Sequence, residues 1–158
     1  MTSQIQMGLL TLAIALLALS SPAWAQEASP GAELVRTTEA DSAFAQAMPA
    51  AKEWLALLDS DQYAQSWQEA TPRFQEALPM EEWEQRAAEA RDPLEPFGAR
   101  TLVSIQFATL APDLGPGRYV VLQYLTPVGE GRSAIETVSL ERQPEGDWRI
   151  AGYFVRPR

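Results

Sequence analysis

The stretch RYVVLQYLTPVGEGRSAIETVSLER, residues 118–142, decides the fold. Residues 118–126 are rich in Tyr and Val, and residues 133–142 alternate between apolar and polar side chains, which is the period of a strand. The turn Gly129-Glu130-Gly131 separates the two segments. Two strands joined by so short a turn are typical of an antiparallel hairpin, and the sequence predicts one here.

The same pattern continues on both sides of this hairpin. Residues 102–109 alternate and should place Val103, Ile105 and Phe107 on one face of a strand. Residues 148–155 follow a turn rich in Pro, Gly and acidic residues and predict a last strand. Short turns between successive strands predict a four-stranded antiparallel meander.

Upstream of the strands, apolar residues recur at three- and four-residue steps, which is the period of a helix. These steps predict one helix over 44–58, a second over 63–75 and a third over 79–91, where Asp92-Pro93 stops it. Helices that precede the strands, instead of alternating with them, favour an α+β fold. We therefore expect three N-terminal helices packed on a curved four-stranded antiparallel sheet.

The first 25 residues predict a secretory signal peptide. An uncharged apolar run over 8–19 ends at Ala23-Trp24-Ala25, which matches the cleavage pattern. The run is shorter than the roughly 20 residues that a membrane-spanning helix needs, so we expect no transmembrane anchor after cleavage. We expect a flexible segment over 26–41 and a single α+β domain over 42–158. Arginine supplies nearly all the basic residues and asparagine is absent, which favours export to a bacterial periplasm, with the extracellular space as the alternative.

The composition excludes several classes of function. The chain has no His and no Cys, which removes the Ser-His-Asp and Cys-His nucleophilic systems and the usual imidazole zinc sites. Its formal net charge is −9, and it has no concentrated basic patch. We therefore expect no nucleic-acid binding, and we predict no cofactor and no metal site.

Glu136 is the first candidate for a functional residue. It alternates with Ala134 and Val138, so its carboxylate should lie on the sheet face that is turned towards the helices. A carboxylate in that position must be paired or protonated. The ordinary explanation is a buried ion pair with Arg91 or Arg100 that ties the helices to the sheet. The functional alternative is a general base or a ligand anchor.

Aromatic residues give two further candidates. Tyr124 and Tyr153 lie on neighbouring parts of the predicted sheet and could donate hydroxyl groups to a ligand oxygen. Tyrosine is also an ordinary strand residue, so packing is the simpler explanation. Trp54, Trp67 and Trp83 fall one in each predicted helix. They could form an aromatic ligand cage, but their spacing favours core packing against the sheet.

Two other patterns have ordinary explanations. An acidic stretch on the third predicted helix should be a solvated face, because a cation site needs about six converging oxygens. Its carboxylates are those of Glu81, Glu82, Glu84 and Glu89. Gly115-Pro116-Gly117 and Gly129-Glu130-Gly131 both precede strands, so they predict hairpin turns and not phosphate-binding loops.

One set of residues between about Ala50 and Phe154 carries a resemblance to a known family. They are Trp54-Leu55, Ser66-Trp67, Trp83, Arg91, Pro93-Leu94, Gly98, Arg100, Tyr119-Val120-Val121, Ser133-Ala134, Glu136-Thr137-Val138, Asp147-Trp148-Arg149 and Gly152-Tyr153-Phe154. In these residues the chain resembles a bacterial family of exported proteins known as domain of unknown function 4019. The order of helices and strands, together with the turn at residues 146–150, is also similar to the cone-shaped domain named after nuclear transport factor 2. The resemblance implies an exported α+β domain and no particular activity, because the family has none assigned.

These observations leave two hypotheses about function. The first is a non-catalytic exported domain that binds a small ligand or a partner protein at the bacterial envelope. The second is a small isomerase, dehydratase or hydrolase in which Glu136 is the general base, while Arg100, Tyr124 or Tyr153 stabilises the developing negative charge. The sequence predicts no particular ligand, partner or oligomeric state.

Overall fold

The computed structural model describes the backbone of residues 30–111 and 114–158, and side chains from residue 37 onward within those ranges. The predicted signal peptide, residues 1–25, lies outside the described residues. Within the described ranges no helix is both long enough and apolar enough to cross a membrane.

The described residues form an α+β fold in which helices come first and strands follow. The α-helices are α1 (Pro30–Leu58), α2 (Tyr63–Gln68), α3 (Pro72–Ala77) and α4 (Met80–Arg91). The strands are β1 (Thr101–Ala111), β2 (Gly115–Val128), β3 (Arg132–Arg142) and β4 (Trp148–Pro157). All neighbouring strands are antiparallel and lie in sequence order. The predicted α+β class and four-stranded antiparallel meander are confirmed.

The second predicted helix is two short helices, so the described residues contain four α-helices and not three. The chain leaves the helical path before Pro72, because a residue that precedes proline is disfavoured in helical geometry. Thr71 then caps α3, since its hydroxyl accepts a hydrogen bond from the amide of Phe74 at 3.2 Å. The amide of Thr71 also donates to the carbonyl of Ile150 at 2.8 Å, which fixes the break against β4.

Helix α1 begins earlier than its apolar pattern predicts. It starts at Pro30, inside the segment 26–41 that we expected to be flexible, and the expected domain boundary at residue 42 falls within the helix. The apolar stripe of this helix begins only near Phe44. Ala and Glu favour helical geometry, so the helix can extend beyond the part that packs on the core, and proline suits its first position. An ion pair between Glu39 and Arg118, 2.9 Å long, joins this part of α1 to β2.

The helices cover one face of the sheet, and the core lies between the two layers. The large buried apolar side chains of this core come from α1, α4, β2, β3 and β4. They are Trp54, Leu55, Leu58, Trp83, Val120, Leu122, Val138, Leu140, Trp148 and Ile150. The apolar residues of β1 pack against the core but are only partly buried. The opposite face of the sheet carries Phe154, which is 52% exposed.

Strand β1 contains a bulge that the sequence did not predict. Leu102 pairs with Tyr124 and Ser104 pairs with Gln123, which leaves Val103 as an extra residue. A bulge shifts the alternation by one position, so Leu102 takes the inward place and Val103 is 52% exposed. The prediction that Val103 shares a face with Ile105 and Phe107 is therefore wrong.

Candidate functional site

Glu136 lies at the centre of a cluster of charged side chains between the sheet and the helices. Its side chain is 0% exposed and faces the helical layer, as the alternation predicts. The cluster joins the end of α1, the end of α4 and the segment before β1 to strands β2, β3 and β4. We call it the Glu136 cluster, and it consists of Asp59, Arg91, Arg100, Thr126, Glu136 and Tyr153.

Five hydrogen bonds reach the carboxylate of Glu136. Its Oε1 accepts from the hydroxyl of Tyr153 at 2.8 Å, from Nη2 of Arg100 at 3.1 Å and from Nη1 of Arg91 at 3.3 Å. Its Oε2 accepts from the hydroxyl of Thr126 at 2.6 Å and from Nε of Arg100 at 2.7 Å. A carboxylate offers about four lone-pair positions, so the protein's own donors saturate this one.

Asp59 supplies the second carboxylate of the cluster. Its Oδ1 accepts from Nη2 of Arg100 at 2.7 Å and from Nη2 of Arg91 at 2.8 Å, and its Oδ2 accepts from Nη1 of Arg100 at 2.6 Å. Arg100 therefore spans both carboxylates, with a bidentate contact to each. Two carboxylates and two guanidinium groups balance the formal charge of the cluster.

Arg91 is buried as completely as Glu136. The residue is 0% exposed, and the carbon at the centre of its guanidinium lies 3.9 Å from the centroid of the Phe97 ring. It donates from Nη1 to the hydroxyl oxygen of Tyr153 at 2.9 Å, and Tyr153 in turn donates to Glu136. Its Nε has no hydrogen-bond partner in the described part of the chain.

Burial and the charged partners act in opposite directions on the pKa values of Asp59, Arg91 and Arg100. Burial acts to raise the pKa of Asp59, but hydrogen bonds and charges from Arg100 and Arg91 outweigh it and lower that pKa. Burial acts to lower the pKa of Arg100 and Arg91, but their partners outweigh it and raise both. Burial and the nearby Glu136 raise the pKa of Tyr153 well above its ordinary value. At neutral pH the arginines and Asp59 are therefore charged, and Tyr153 keeps its proton.

The structure brings together three of the four predicted site residues. Glu136, Arg100 and Tyr153 are in direct contact, and the ion pair expected with Arg91 or Arg100 forms with both. Tyr124 pairs with Glu136 across the strands, but its hydroxyl makes no hydrogen bond within the described residues. Burial raises the pKa of Tyr124.

Sequence reasoning missed Asp59 and Thr126. Asp59 follows the last residue of α1, where an acidic residue is ordinarily part of a turn. Thr126 occupies a strand position where threonine is common. Only the alternation of β2 gave a signal, since it places Thr126 on the same face as Tyr124, the partner of Glu136.

The tryptophans of the first and last long helices pack on each other beside the cluster. The ring centroids of Trp54 and Trp83 are 5.8 Å apart, and Tyr153 lies 5.5 Å from Trp54. Their indole N–H groups are used internally, because Trp54 donates to the carbonyl of Ser66 at 2.7 Å and Trp83 to the hydroxyl of Ser66 at 3.0 Å. Trp67 is half-buried and donates to the carbonyl of Leu78 at 2.7 Å. Core packing is therefore the role that these contacts support.

The acidic stretch and the Gly129-Glu130-Gly131 turn are where the sequence predicts them. Gly115-Pro116-Gly117 is not a turn before the strand, because β2 begins at Gly115, and Gly115 and Pro116 already pair with β1. Glu81, Glu82 and Glu89 are exposed on α4, and Glu82 forms a surface ion pair with Arg86. Across the described residues no three acidic side chains are arranged to hold a metal ion. The Gly129–Gly131 segment forms a single 3₁₀ turn between β2 and β3.

A shallow groove lies between α1, α2 and the start of β4, and sequence reasoning missed it. Its volume is about 290 Å³. Trp54, Trp148 and Ile150 form apolar walls, and Arg149, ion-paired with Asp147 at 2.8 Å, stands beside them. Other lining residues are Ala50, Glu53, Gln68 and Glu69. The Trp148 side chain is almost fully buried, and its ring N–H has no hydrogen-bond partner among the described residues.

Comparison with known proteins places the chain in a family but supplies no activity. Residues 50–153 match the family described as "Protein of unknown function (DUF4019)", which confirms the resemblance seen in the sequence. No curated protein matches the chain. A solved structure from Catenulispora acidiphila, whose description states no function, is 16% identical, with a TM-score of 0.48. The alignment covers 74% of this chain and 92% of that one.

Proposed function

This chain belongs to the family of proteins of unknown function DUF4019, and we propose that it is an exported, non-catalytic domain of the bacterial envelope that binds a small ligand or a partner protein. Export is supported by the signal pattern in residues 1–25. The periplasm is the proposed compartment, because the composition is typical of a bacterial protein.

The observation that carries the non-catalytic proposal is the saturation of Glu136. A general base must have a lone pair within reach of a substrate proton. Glu136 is completely buried, and its two oxygens accept five hydrogen bonds from the protein. An isomerase, dehydratase or hydrolase that used this carboxylate would first have to break those bonds. The contacts support the structural role, in which the cluster ties the helices to the sheet.

We further propose that the helices and sheet form a cone of the nuclear transport factor 2 type. The helices on one face of a four-stranded antiparallel sheet support that proposal. Trp54, Trp83 and Tyr153 pack together between the two layers. In such a packed cone, ligand binding falls to the surface and not to the interior.

The groove beside Trp148 is the place that we propose for a small ligand. The ring N–H of Trp148 is closed to solvent in this structure, so an acceptor reaches it only if the side chain shifts. A buried N–H without a partner costs about 1–3 kcal/mol, and a bond from a ligand oxygen would recover that free energy. Trp54 and Ile150 offer apolar walls for the remainder of such a molecule. The ligand class that fits is a small molecule with an apolar or planar part and a hydrogen-bond acceptor.

Native mass spectrometry of the protein, released gently from the periplasm of its own host, tests this proposal. We expect an additional mass that leaves on collisional activation, or a co-eluting partner protein. A Trp148→Phe variant keeps an aromatic ring but loses the donor, so it should lose at least about tenfold in retention of a small ligand. Repeated recovery of bare protein would contradict the proposal.

The matched control is Trp67→Phe. Trp67 lies outside the groove, and its indole N–H already donates to Leu78. This variant removes one indole N–H as well, but it should retain the added mass. If both variants lost the bound ligand's added mass to the same extent, the ligand would not bind in the groove beside Trp148.

A further inference from the structure

Strand β1 leaves one edge of the sheet open. The strand order is β1-β2-β3-β4, and within the described residues β1 pairs with β2 alone. The outward amide and carbonyl groups of an edge strand can pair with another strand. The eleven residues of β1 contain no charged residue, no proline and no glycine.

The two edges of the sheet differ in how they are protected. Strand β4 carries Arg149 and Arg156, and it ends at Pro157. Charges and proline are the means by which natural edge strands avoid pairing with other chains. The bulge at Val103 disturbs β1, and the register with β2 shifts again between Ala108 and Leu110. That second extra residue lies on β2, so β1 itself runs from Ser104 to Leu110 without one. Of the two edges, β1 is the one open to pairing.

The apolar side chains of β1 are incompletely covered. Leu110 is 65% exposed and Val103 is 52% exposed, although both belong to the strand. Ile105 and Phe107 face the core but are only partly buried at this edge. A strand added beside β1 would cover these side chains from the open side.

From these observations we propose that β1 pairs antiparallel with β1 of a second copy of this chain. The net charge of −9 makes two copies repel each other, and an uncharged strand is the place where they can approach at the least cost. Pairing through β4 would instead bring its arginines close to those of the other copy. This surface is separate from the groove that we propose for a ligand.

A two-fold axis near Phe107 best fits the run Ser104–Leu110, in which β1 has no extra residue of its own. In antiparallel pairs, opposite residues share a face, so the axis must pass beside one residue and its own copy. The middle of Ser104–Leu110 is Phe107, which would then lie opposite Phe107 of the second copy. Gln106 would lie opposite Ala108 on the outer face. The pairing uses both β1 edges, so it closes as a dimer with one eight-stranded sheet and does not grow into a fibre.

Native mass spectrometry of the full chain at low micromolar concentration tests the dimer. We expect twice the mass of one chain. A Gln106→Lys/Ala108→Lys variant adds like charges on the outer face at the axis, and we expect its dimer to dissociate at least about tenfold more readily. The control variant Gln123→Lys/Ser139→Lys adds the same charge to the outer face of β2 and β3, away from the edge, and should keep the dimer. A monomer in the native chain, or equal loss of the dimer in both variants, would overturn the proposal.

Cysteine cross-linking identifies the edge directly, because the chain has no cysteine of its own. Opposite residues of an antiparallel pair have Cα atoms about 4.5–5.5 Å apart, which is within the range of a disulfide. A Gln106→Cys/Ala108→Cys variant should give a disulfide-linked dimer under mild oxidation. Ser139→Cys lies on β3, two strands from the edge, and should not cross-link. Cross-linking through Ser139→Cys but not through β1 would place the contact on the sheet face and overturn the proposal.

Discussion

Replacing Glu136 with alanine is expected to lower the free energy of unfolding by about 3–5 kcal/mol. The substitution leaves Arg91, which is fully buried, and Arg100 to share the single carboxylate of Asp59, and the hydroxyls of Thr126 and Tyr153 lose their acceptor. The cluster then holds one buried positive charge without a compensating carboxylate, which costs far more than the net stabilisation from an intact pair. Urea unfolding followed by tryptophan fluorescence measures the change.

The matched control is Glu82→Ala, which breaks an exposed ion pair with Arg86 on α4. Such a surface pair contributes about 0.3–0.5 kcal/mol, so this variant should remain close to the native protein. If Glu136→Ala does not fold, Arg100→Ala is the variant to measure. It leaves Glu136 and Asp59 each with a hydrogen bond from Arg91, and its free energy of unfolding should fall by about 1.5–3 kcal/mol. A loss below about 1 kcal/mol in either cluster variant would contradict the structural role.

Replacing Trp54 with alanine should cost about 3–5 kcal/mol, which is typical of a large aromatic side chain removed from a core. Trp54 is 2% exposed, and its ring packs on those of Trp83 and Tyr153. The substitution leaves a cavity beside Tyr153 and deprives the Ser66 carbonyl of the indole N–H. Thermal and urea unfolding of the purified variant measure the loss.

Phe154→Ala is the control for this prediction. Phe154 is also aromatic, but it is half exposed on the uncovered face of the sheet. Its removal should change the free energy of unfolding by no more than about 0.5 kcal/mol. Equal losses from Trp54→Ala and Phe154→Ala would show that the core does not lie between the helices and the sheet.

Periodicity was enough to predict the order of elements, because alternation and helical spacing are local properties of the sequence. The meander was predictable from residues 102–155, where strands and turns follow each other closely. The division of the second helix was not, because it depends on the bond between Thr71 and Ile150, which are far apart in the chain. The position of Val103 was missed for a related reason, since a bulge is defined by the partner strand.

The site was predictable in part. Alternation alone placed Glu136 towards the helices, and the cost of an unpaired buried charge predicted an arginine partner. That argument could not show that Arg91 and Arg100 both bind it, nor that Asp59 completes the balance of charge. Each of these contacts joins residues at least 32 positions apart in the chain. The unpartnered N–H of Trp148 is likewise a property of packing, and no sequence pattern marks it.

The most direct test of the structural role of Glu136 is the unfolding free energy of Glu136→Gln. Glutamine has nearly the same shape, but its amide nitrogen is a hydrogen-bond donor. Both carboxylate oxygens of Glu136 accept from donors, so the amide nitrogen would oppose a donor in either orientation. Our account predicts a loss of at least about 2 kcal/mol, because hydrogen bonds to a charged group are replaced by opposed donors. Unchanged or higher stability would contradict it, since a carboxylate that is retained at the expense of stability is characteristic of a functional site.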